Sequence, residues 1–229
     1  MRGAVSSHDW TGVVPELHGF CNNDLSAFYF DVRKDALYCD GPDSHRRRSV
    51  STVLDLLHRH LCAWFAPVLA FTAEEAWLAR FGGEEESVHL RDFPAVPAGW
   101  RDEALAGRWA TIREARRAVT GVLETARAAG EIGSSLQAAP VLRLPPSLAG
   151  LLDEVAWAEV CITSGVTVSP DGPEGGGFAA EFAPATGAKC ARCWRVLPEV
   201  GESAAHPALC FRCEAVVEAQ ERDRAAAAA

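Results

Sequence analysis

The chain has 229 residues, of which 48% are hydrophobic, and carries a formal net charge of −9. This length allows one large domain or two to three small ones, and the apolar fraction is that of a soluble globular protein with a core. The acidic total argues against a protein that binds nucleic acid by bulk charge alone. No apolar run approaches the roughly 20 residues of a membrane-spanning helix, and the N-terminus lacks the apolar segment of a secretory signal. We therefore expect a cytoplasmic protein that contacts no membrane.

The first two-thirds of the chain is predicted to be helical. Apolar residues recur at helical spacing in three long segments, at residues 24–38, 44–65 and 102–129. Gly130 is expected to end the last of these helices. A shorter helix should run to Phe81 and begin at Thr72, because Thr72 and Glu75 have the spacing of a capping box. Short helices alternating with long ones indicate a mainly α fold with an antiparallel helical bundle over residues 1–130.

Beyond residue 130 the pattern changes to short elements. Those predicted are a strand at residues 141–144, a short helix at 147–155, a strand at 160–168 and a return strand at 178–183. A stretch rich in Gly and Pro separates the last two strands. Together these elements predict a small α/β linker module at residues 131–185.

Eight cysteines are present, four scattered and four in two tight pairs. The scattered ones are expected to behave as small buried hydrophobic residues: Cys21, Cys39, Cys62 and Cys161. Each tight pair has C-x2-C spacing, which presents two sulfurs about one turn apart, and zinc favours tetrahedral thiolate coordination. Four cysteines leave no position open for water. We therefore predict one structural zinc ion bound by Cys190, Cys193, Cys210 and Cys213.

The alternative for these pairs is redox chemistry. Redox dithiols usually lie singly at a helix N-terminus within a βαβ unit, and neither pair is expected in that setting. The predicted knuckle covers residues 186–220 and should be too small to fold without its metal. An Ala-rich tail, residues 221–229, follows it.

Two stretches are basic in spite of the acidic total. Residues 43–60 and residues 185–213 each contain four Lys or Arg against two Asp or Glu, a local charge of +2. Such stretches fit a docking surface for an anion, and they also fit ordinary solvated faces. Trp194 and Phe211 lie beside the predicted zinc ligands and could stack on a base or pack inside the knuckle. Packing is favoured, because so small a module needs a core.

Four segments resemble, in the same order, motifs of the isoleucyl-tRNA synthetases. Residues 24–38 resemble the helix LSxFYxDxxKDxLY, residues 64–77 the segment WxAPxLxFTAEExW, residues 132–137 the stretch IGSSLEA, and residues 189–194 the zinc-finger opening KCxRCW. The resemblance covers roughly residues 18–217. It implies a class Ia anticodon-binding helical bundle, a small linking domain and a zinc-binding tail. In that family these parts bind the anticodon arm of isoleucine tRNA for aminoacylation.

In the context of this resemblance, basic and aromatic residues become candidate tRNA contacts. Arginines at the start of the second predicted helix and along the long helix could meet phosphates, and otherwise they form solvated helix faces. The candidates are Arg46, Arg47, Arg48, Arg113, Arg116, Arg117, Arg192, Trp194 and Arg195.

The chain departs from the family in its catalytic motifs. Neither HIGH nor KMSKS occurs, and His18-Gly19 is not followed by His. ATP is therefore expected to be used only by the full-length family enzyme, and this chain alone should not form aminoacyl-adenylate. The sequence resembles the C-terminal quarter of such an enzyme, with no catalytic residues of its own.

Three interpretations stay open for such a chain: a fragment of the enzyme, a free-standing zinc-containing module that binds RNA or regulates, and one chain of a split synthetase with a separate catalytic chain. An exposed apolar patch on the bundle would favour the split enzyme. The knuckle also resembles the zinc finger of some DNA glycosylases. The bundle ahead of it does not fit that family, so no DNA binding is expected.

Overall fold

The computed structural model describes residues 2–83, 86–148, 150, 155–173 and 177–228. Over these residues the chain is mainly helical, and the predicted fold class is confirmed. The helices, in chain order, are α1 (Arg2–Ser7), α2 (Val13–Gly19), a π-helical stretch (Phe20–Phe30), α3 (Asp31–Cys39), α4 (His45–Phe65), α5 (Ala70–Phe81), α6 (Glu103–Ala128), α7 (Trp157–Cys161) and α8 (Phe211–Ala227). Single 3-10 turns occur at Val88–Leu90, Ala98–Trp100, Ser135–Gln137 and Pro146–Leu148. The predicted helix at residues 147–155 lies mostly outside the described residues.

The chain divides into two compact units. The first unit contains Met1–Asp31 and Pro42–Arg101, and the second contains Val32–Gly41 and Asp102–Ala229. None of the helices within the described ranges has the length and apolar character needed to cross a membrane.

Local capping signals set the bounds of the long helices. Ser44 precedes α4, and its Oγ accepts a hydrogen bond from the backbone N–H of Arg47 at 3.4 Å. Asp102 caps α6 in the same way, because its Oδ1 accepts a hydrogen bond from the backbone N–H of Leu105 at 2.8 Å. Gly130 follows α6 with a φ of 76°, a left-handed conformation that glycine adopts without steric cost. The predictions for these two helices are confirmed.

The predicted capping box at the start of α5 is wrong. The helix begins at Ala70. The carbonyl of Leu69 already accepts a hydrogen bond from the N–H of Ala73 at 2.8 Å, so Thr72 lies inside the first turn. The neighbouring Glu74 instead caps the 3-10 turn that follows. Its Oε2 accepts from Ser87 Oγ at 3.1 Å and from the N–H of Val88 at 2.9 Å.

The core of the first unit lies between α4 and α5. Its buried residues are Cys62, Ala63, Ala66, Ala73, Trp77 and Val88. His58 lies beside this core, donates from Nε2 to the carbonyl of Ala76 at 3.0 Å and stacks on the Trp77 ring. Small and medium-sized apolar residues from the two helices and from the 3-10 turn at Val88–Leu90 thus pack around Trp77.

The core of the second unit is built on α6. The buried face of this helix consists of Ile112, Ala115, Val119, Leu123 and Ala126. It packs against Ile132, Ala138, Leu142, Leu144, Trp157, Val160 and Cys161. The long helix, which the sequence assigned to a bundle ending at residue 130, therefore shares its core with the residues that follow it. The division at residue 130 does not match this packing.

A three-stranded sheet covers part of this core. Its strands are β1 (Val141–Arg143), β2 (Thr167–Ser169) and β3 (Ala179–Glu181). The central strand β1 pairs parallel with β2 and antiparallel with β3, so that Leu142 lies opposite Val168 and Ala180. Leu142 is fully buried against α6.

The strand predicted at residues 160–168 is wrong in its first half. Residues Trp157–Cys161 form α7, which ends at Ile162 with a φ of 57°, and the strand begins only at Thr167. Val160 and Cys161 are buried in the α6 core. A short apolar run that is buried on all sides does not distinguish helix from strand by periodicity.

The α6 packing makes a stability prediction. Leu123 is 2% exposed, whereas its neighbour Val122 is only half-buried. Leu123→Ala should lower the free energy of unfolding by about 2–5 kcal/mol, because it leaves a cavity in the core. Val122→Ala should cost about 1 kcal/mol or less. Denaturant unfolding of both variants measures this, and equal losses would contradict the packing.

Candidate metal centre and nucleic-acid interface

The first cysteine pair lies in the turn of a two-stranded ribbon. Strands β4 (Ala188–Lys189) and β5 (Val196–Leu197) pair antiparallel on either side of it. The turn is closed by hydrogen bonds from the N–H of Cys190 to Arg195 O and from the N–H of Trp194 to Cys190 O, both at 2.9 Å. Gly187 leads into the ribbon with a φ of 108°, where a Cβ would lie 2.2 Å from Leu197 O. Only glycine fits there.

The second cysteine pair lies at the start of α8. Cys210 is the residue before the helix and Cys213 lies in its first turn. This pair therefore lies at a helix N-terminus, but the strands before it, β4 and β5, pair antiparallel and form no βαβ unit. The N–H of Cys210 donates to Cys190 Sγ at 3.3 Å, which brings the helix start against the ribbon turn. The two pairs face each other, whereas the redox alternative requires each dithiol to act alone.

The four sulfurs form a compact buried cluster. All four Sγ atoms lie within 4.8 Å of one another, and Cys190 and Cys213 are fully buried. Cys193 Sγ and Cys210 Sγ are 3.8 Å apart. A tetrahedral zinc ion with Zn–S bonds of about 2.3 Å sets its sulfurs roughly 3.8 Å apart, whereas a disulfide requires about 2.05 Å. The donor set and its spacing therefore fit zinc.

The sulfurs of the cluster shift one another's pKa values through shared hydrogen bonds. A hydrogen bond from the Cys213 thiol lowers the pKa of Cys193 to about 4, and the backbone N–H of Arg195 contributes in the same direction. The same sulfur–sulfur hydrogen bond raises the pKa of Cys213, because donating to a neighbouring sulfur favours the protonated form of a thiol. Metal binding requires deprotonated sulfurs, so a lowered thiol pKa at Cys193 favours it.

Two arginines of the knuckle connect the sulfur cluster to α3 within the second unit. Arg192 donates to the carbonyls of Tyr38, at 3.2 Å, and Cys39, and its Nη1 lies 3.8 Å from Cys213 Sγ. Arg212 forms a two-pronged ion pair with Asp35, at 2.5 and 2.7 Å. The positive charges lie where thiolates and carboxylates concentrate negative charge. Asp35 lies in the helix that resembles LSxFYxDxxKDxLY, but its partner Arg212 lies 177 residues away, so local sequence reasoning does not identify the pair.

Three arginines predicted to contact tRNA have partners within the chain. Arg116 Nε donates to Val160 O at 2.8 Å, Arg195 donates to Ser164 O, and Arg192 donates to the end of α3. These bonds hold α7 and the ribbon in place. A guanidinium has five N–H donors, and RNA contact by these residues stays a prediction.

The other predicted arginines fall into two groups. Arg46, Arg47 and Arg48 occupy the first turns of α4 in the first unit, with Arg48 exposed and the other two half-buried. Arg113 and Arg117 lie one turn apart on α6 in the second unit, with Arg117 exposed. Their contacts with tRNA also stay predictions.

The aromatic residues of the knuckle lie on its surface. Trp194 is 61% exposed and Phe211 is 50% exposed. The interpretation that they pack inside the knuckle is wrong, because the four sulfurs with Leu197, Val200 and Leu209 form its core. Lys189 Nζ lies 5.1 Å from the centre of the Trp194 ring. The knuckle thus presents an exposed indole face beside a cation.

Two family profiles match the chain. One is described as the anticodon-binding domain of tRNA ligase and matches residues 3–142. The chain belongs to this family. The other is described as a zinc finger found in FPG and IleRS and matches residues 187–216, which contain the ribbon and the four cysteines.

Curated relatives agree with this assignment. The chain is 57% identical over 221 residues to the isoleucine–tRNA ligase of Gluconobacter oxydans, covering 96% of this chain and 23% of the relative. It is 47% identical over 226 residues to that of Ruegeria pomeroyi, covering 95% of this chain and 23% of the relative. The chain therefore spans about a quarter of the length of these relatives. The resemblance to isoleucyl-tRNA synthetases is confirmed.

The cluster geometry makes a prediction about its ligands. Cys193→Ser should lose zinc, because it removes one of four sulfurs from a closed site. Cys39→Ser is the matched control, since Cys39 is a buried thiol in the same cluster of side chains but lies outside the ligand set. Metal content after purification measures both. Full zinc retention by Cys193→Ser, or loss of zinc from Cys39→Ser, would contradict the four-ligand assignment.

Proposed function

We propose that this chain is the tRNA-binding portion of an isoleucine–tRNA ligase and recognises the anticodon arm of isoleucine tRNA. The observation that carries the proposal is the presence in one chain of the anticodon-binding domain and a zinc finger of the type found in IleRS. The identity of 57% to an isoleucine–tRNA ligase supports isoleucine tRNA as the partner.

We propose further that the knuckle binds one zinc ion with a structural role. Cys190, Cys193, Cys210 and Cys213 would hold it, and a site closed by four thiolates leaves no coordination position for water or substrate. When bound, the metal supplies a cross-link between the ribbon turn and the start of α8. Its free energy of binding then contributes to the folding of this small module.

Recognition in this proposal uses an aromatic surface and basic side chains. Bases of a single-stranded loop can be splayed out and stacked on aromatic rings. Trp194 offers such a ring, and Lys189 beside it offers a positive charge to the backbone. The exposed Arg48 and Arg117, with Arg46, Arg47 and Arg113, would meet phosphates, which position the RNA without reading its sequence.

Aminoacylation with ATP belongs, in this proposal, to the full-length enzyme, because the HIGH and KMSKS motifs do not occur in this sequence. One observation favours a second candidate, a chain that assembles with a separate catalytic chain. The first unit exposes large apolar residues, among them Phe71 at 93% and Leu90 at 74%. An apolar cavity of about 730 Å³, lined in part by Leu17, Phe20 and Trp64, lies in the same unit. Exposed apolar surface of this kind is typical of contact with another polypeptide.

A binding titration tests the proposed function. The purified chain is titrated against an isoleucine tRNA transcript and against the same transcript with a swapped anticodon, at one stated salt concentration. We expect the isoleucine anticodon to bind at least about tenfold more tightly, a difference of roughly 1.4 kcal/mol. Equal, weak binding of both transcripts would contradict anticodon recognition by this chain.

The same titration tests the role of Trp194. Trp194→Ala should weaken binding by about 1–3 kcal/mol, because it removes a stacking surface for one base. Trp194→Phe, the matched control, keeps an aromatic face and should retain most of the affinity. Binding of Trp194→Ala at the wild-type level would remove this residue from the proposed interface.

A further inference from the structure

The side chain of Arg192 lies between the sulfur cluster and the end of α3. Its Nη2 donates to Tyr38 O at 3.2 Å, and its Nη1 donates to Cys39 O and lies 3.8 Å from Cys213 Sγ. In return, Cys39 Sγ lies 3.9 Å from the carbonyl of Arg192. One guanidinium therefore contacts a predicted metal ligand and the last two residues of a helix.

Arg192 contacts two kinds of electronegative group: the carbonyls at the end of α3, which carry partial negative charge, and the Cys213 sulfur, which would be a thiolate in a zinc site. The last four carbonyls of a helix have no partner within it, and they form the negative end of its dipole. Tyr38 and Cys39 are the last two residues of α3. A zinc ion with four thiolates carries a net charge of −2. The planar fork of an arginine, with five N–H donors, can serve a sulfur and two carbonyls at once, whereas a lysine cannot reproduce that arrangement.

A second arginine strengthens the same connection. Arg212, in the first turn of α8 between the two cysteines of the second pair, binds Asp35 in a two-pronged ion pair and lies 3.4 Å from Asp40. Asp40 is 8% exposed. Two knuckle arginines thus hold the segment Val32–Gly41, which lies within the matched anticodon-binding domain.

We propose that Arg192 is a positioning residue that couples metal loading of the four cysteines to the order of the last turn of α3. A loaded knuckle holds Tyr38–Gly41 in place through Arg192, and an empty one releases it. Metal occupancy of the zinc finger thereby reaches a segment of the anticodon-binding domain. This inference rests on the proposed zinc site and does not depend on tRNA binding.

The test compares two charge-neutralising variants of neighbouring knuckle residues. Arg192→Gln removes the guanidinium group. Lys189→Gln removes one positive charge next to Cys190, at a side chain that contacts the Trp194 ring. Zinc affinity is measured on the full chain by competition with a chelator. Backbone amide hydrogen exchange of Tyr38–Gly41 is measured with zinc bound and after chelation. The exchange readout detects the coupling, which a change in metal affinity alone would not reveal.

We expect Arg192→Gln to bind zinc about 10–100-fold more weakly than the wild type, as is typical for residues that orient metal ligands. Its Tyr38–Gly41 amides should exchange faster even with zinc bound. Lys189→Gln should behave as the wild type in both measurements. In the wild type, chelation should accelerate exchange in Tyr38–Gly41.

Several results would overturn the inference. One is equal zinc affinity of Arg192→Gln and Lys189→Gln. Another is amide exchange in Tyr38–Gly41 that changes neither in Arg192→Gln nor after chelation of the wild type. If Arg192→Gln does not fold, Arg192→Lys provides the test, because it keeps the charge and loses the fork. An Arg192→Lys protein equal to the wild type in affinity and exchange would also overturn the inference. A wild-type chain that binds no zinc is a different result, and it would refute the proposed metal site itself.

Discussion

The knuckle and its attachment to α3 depend on the burial of four sulfurs in one small cluster. Burying thiolates costs free energy unless positive charge and hydrogen-bond donors surround them. The knuckle supplies these from Arg192 and Arg212, and the same two side chains reach the carbonyls and carboxylates of α3. The compact unit therefore joins residues that are distant in sequence, Val32–Gly41 with Asp102–Ala229. A second ion pair, Arg33 to Glu159 at 2.7 Å, ties the same segment of α3 to α7.

This arrangement places the buried metal-binding cluster and the proposed recognition surface on different side chains of one short motif. In the sequence Lys189–Arg195, the cysteines and Arg192 face the buried cluster, and Arg195 holds the ribbon through Ser164 O. Lys189 and Trp194 lie on the surface. Trp194 has a φ of 67°, in the left-handed region, where the turn ends and the ribbon returns. The metal-binding turn thus fixes the backbone from which the exposed indole projects.

The features predicted from the sequence are those set by local chemistry. Ser44 and Asp102 cap their helices within three residues, Gly130 ends α6, and C-x2-C spacing brings two sulfurs together. The features that sequence analysis missed depend on the whole fold. The ion pair of Asp35 joins it to Arg212, 177 residues away, and the short apolar run at Val160 and Cys161 is buried in the α6 core, where its periodicity does not distinguish helix from strand. The exposure of Trp194 follows from a core that the sulfurs themselves fill.

A double-mutant cycle on Asp35 and Arg212 tests the central claim, that the knuckle is held on α3 by this ion pair. Asp35→Asn, Arg212→Gln and the double variant are unfolded with denaturant, followed by the absorption of a cobalt-substituted centre. We predict a coupling energy of about 1–3 kcal/mol, as is typical of residues in direct contact. The exposed pair Glu218 and Arg222, 3.7 Å apart on α8, should give less than about 0.5 kcal/mol. Additive effects of the Asp35 and Arg212 substitutions, within about 0.5 kcal/mol, would contradict the account.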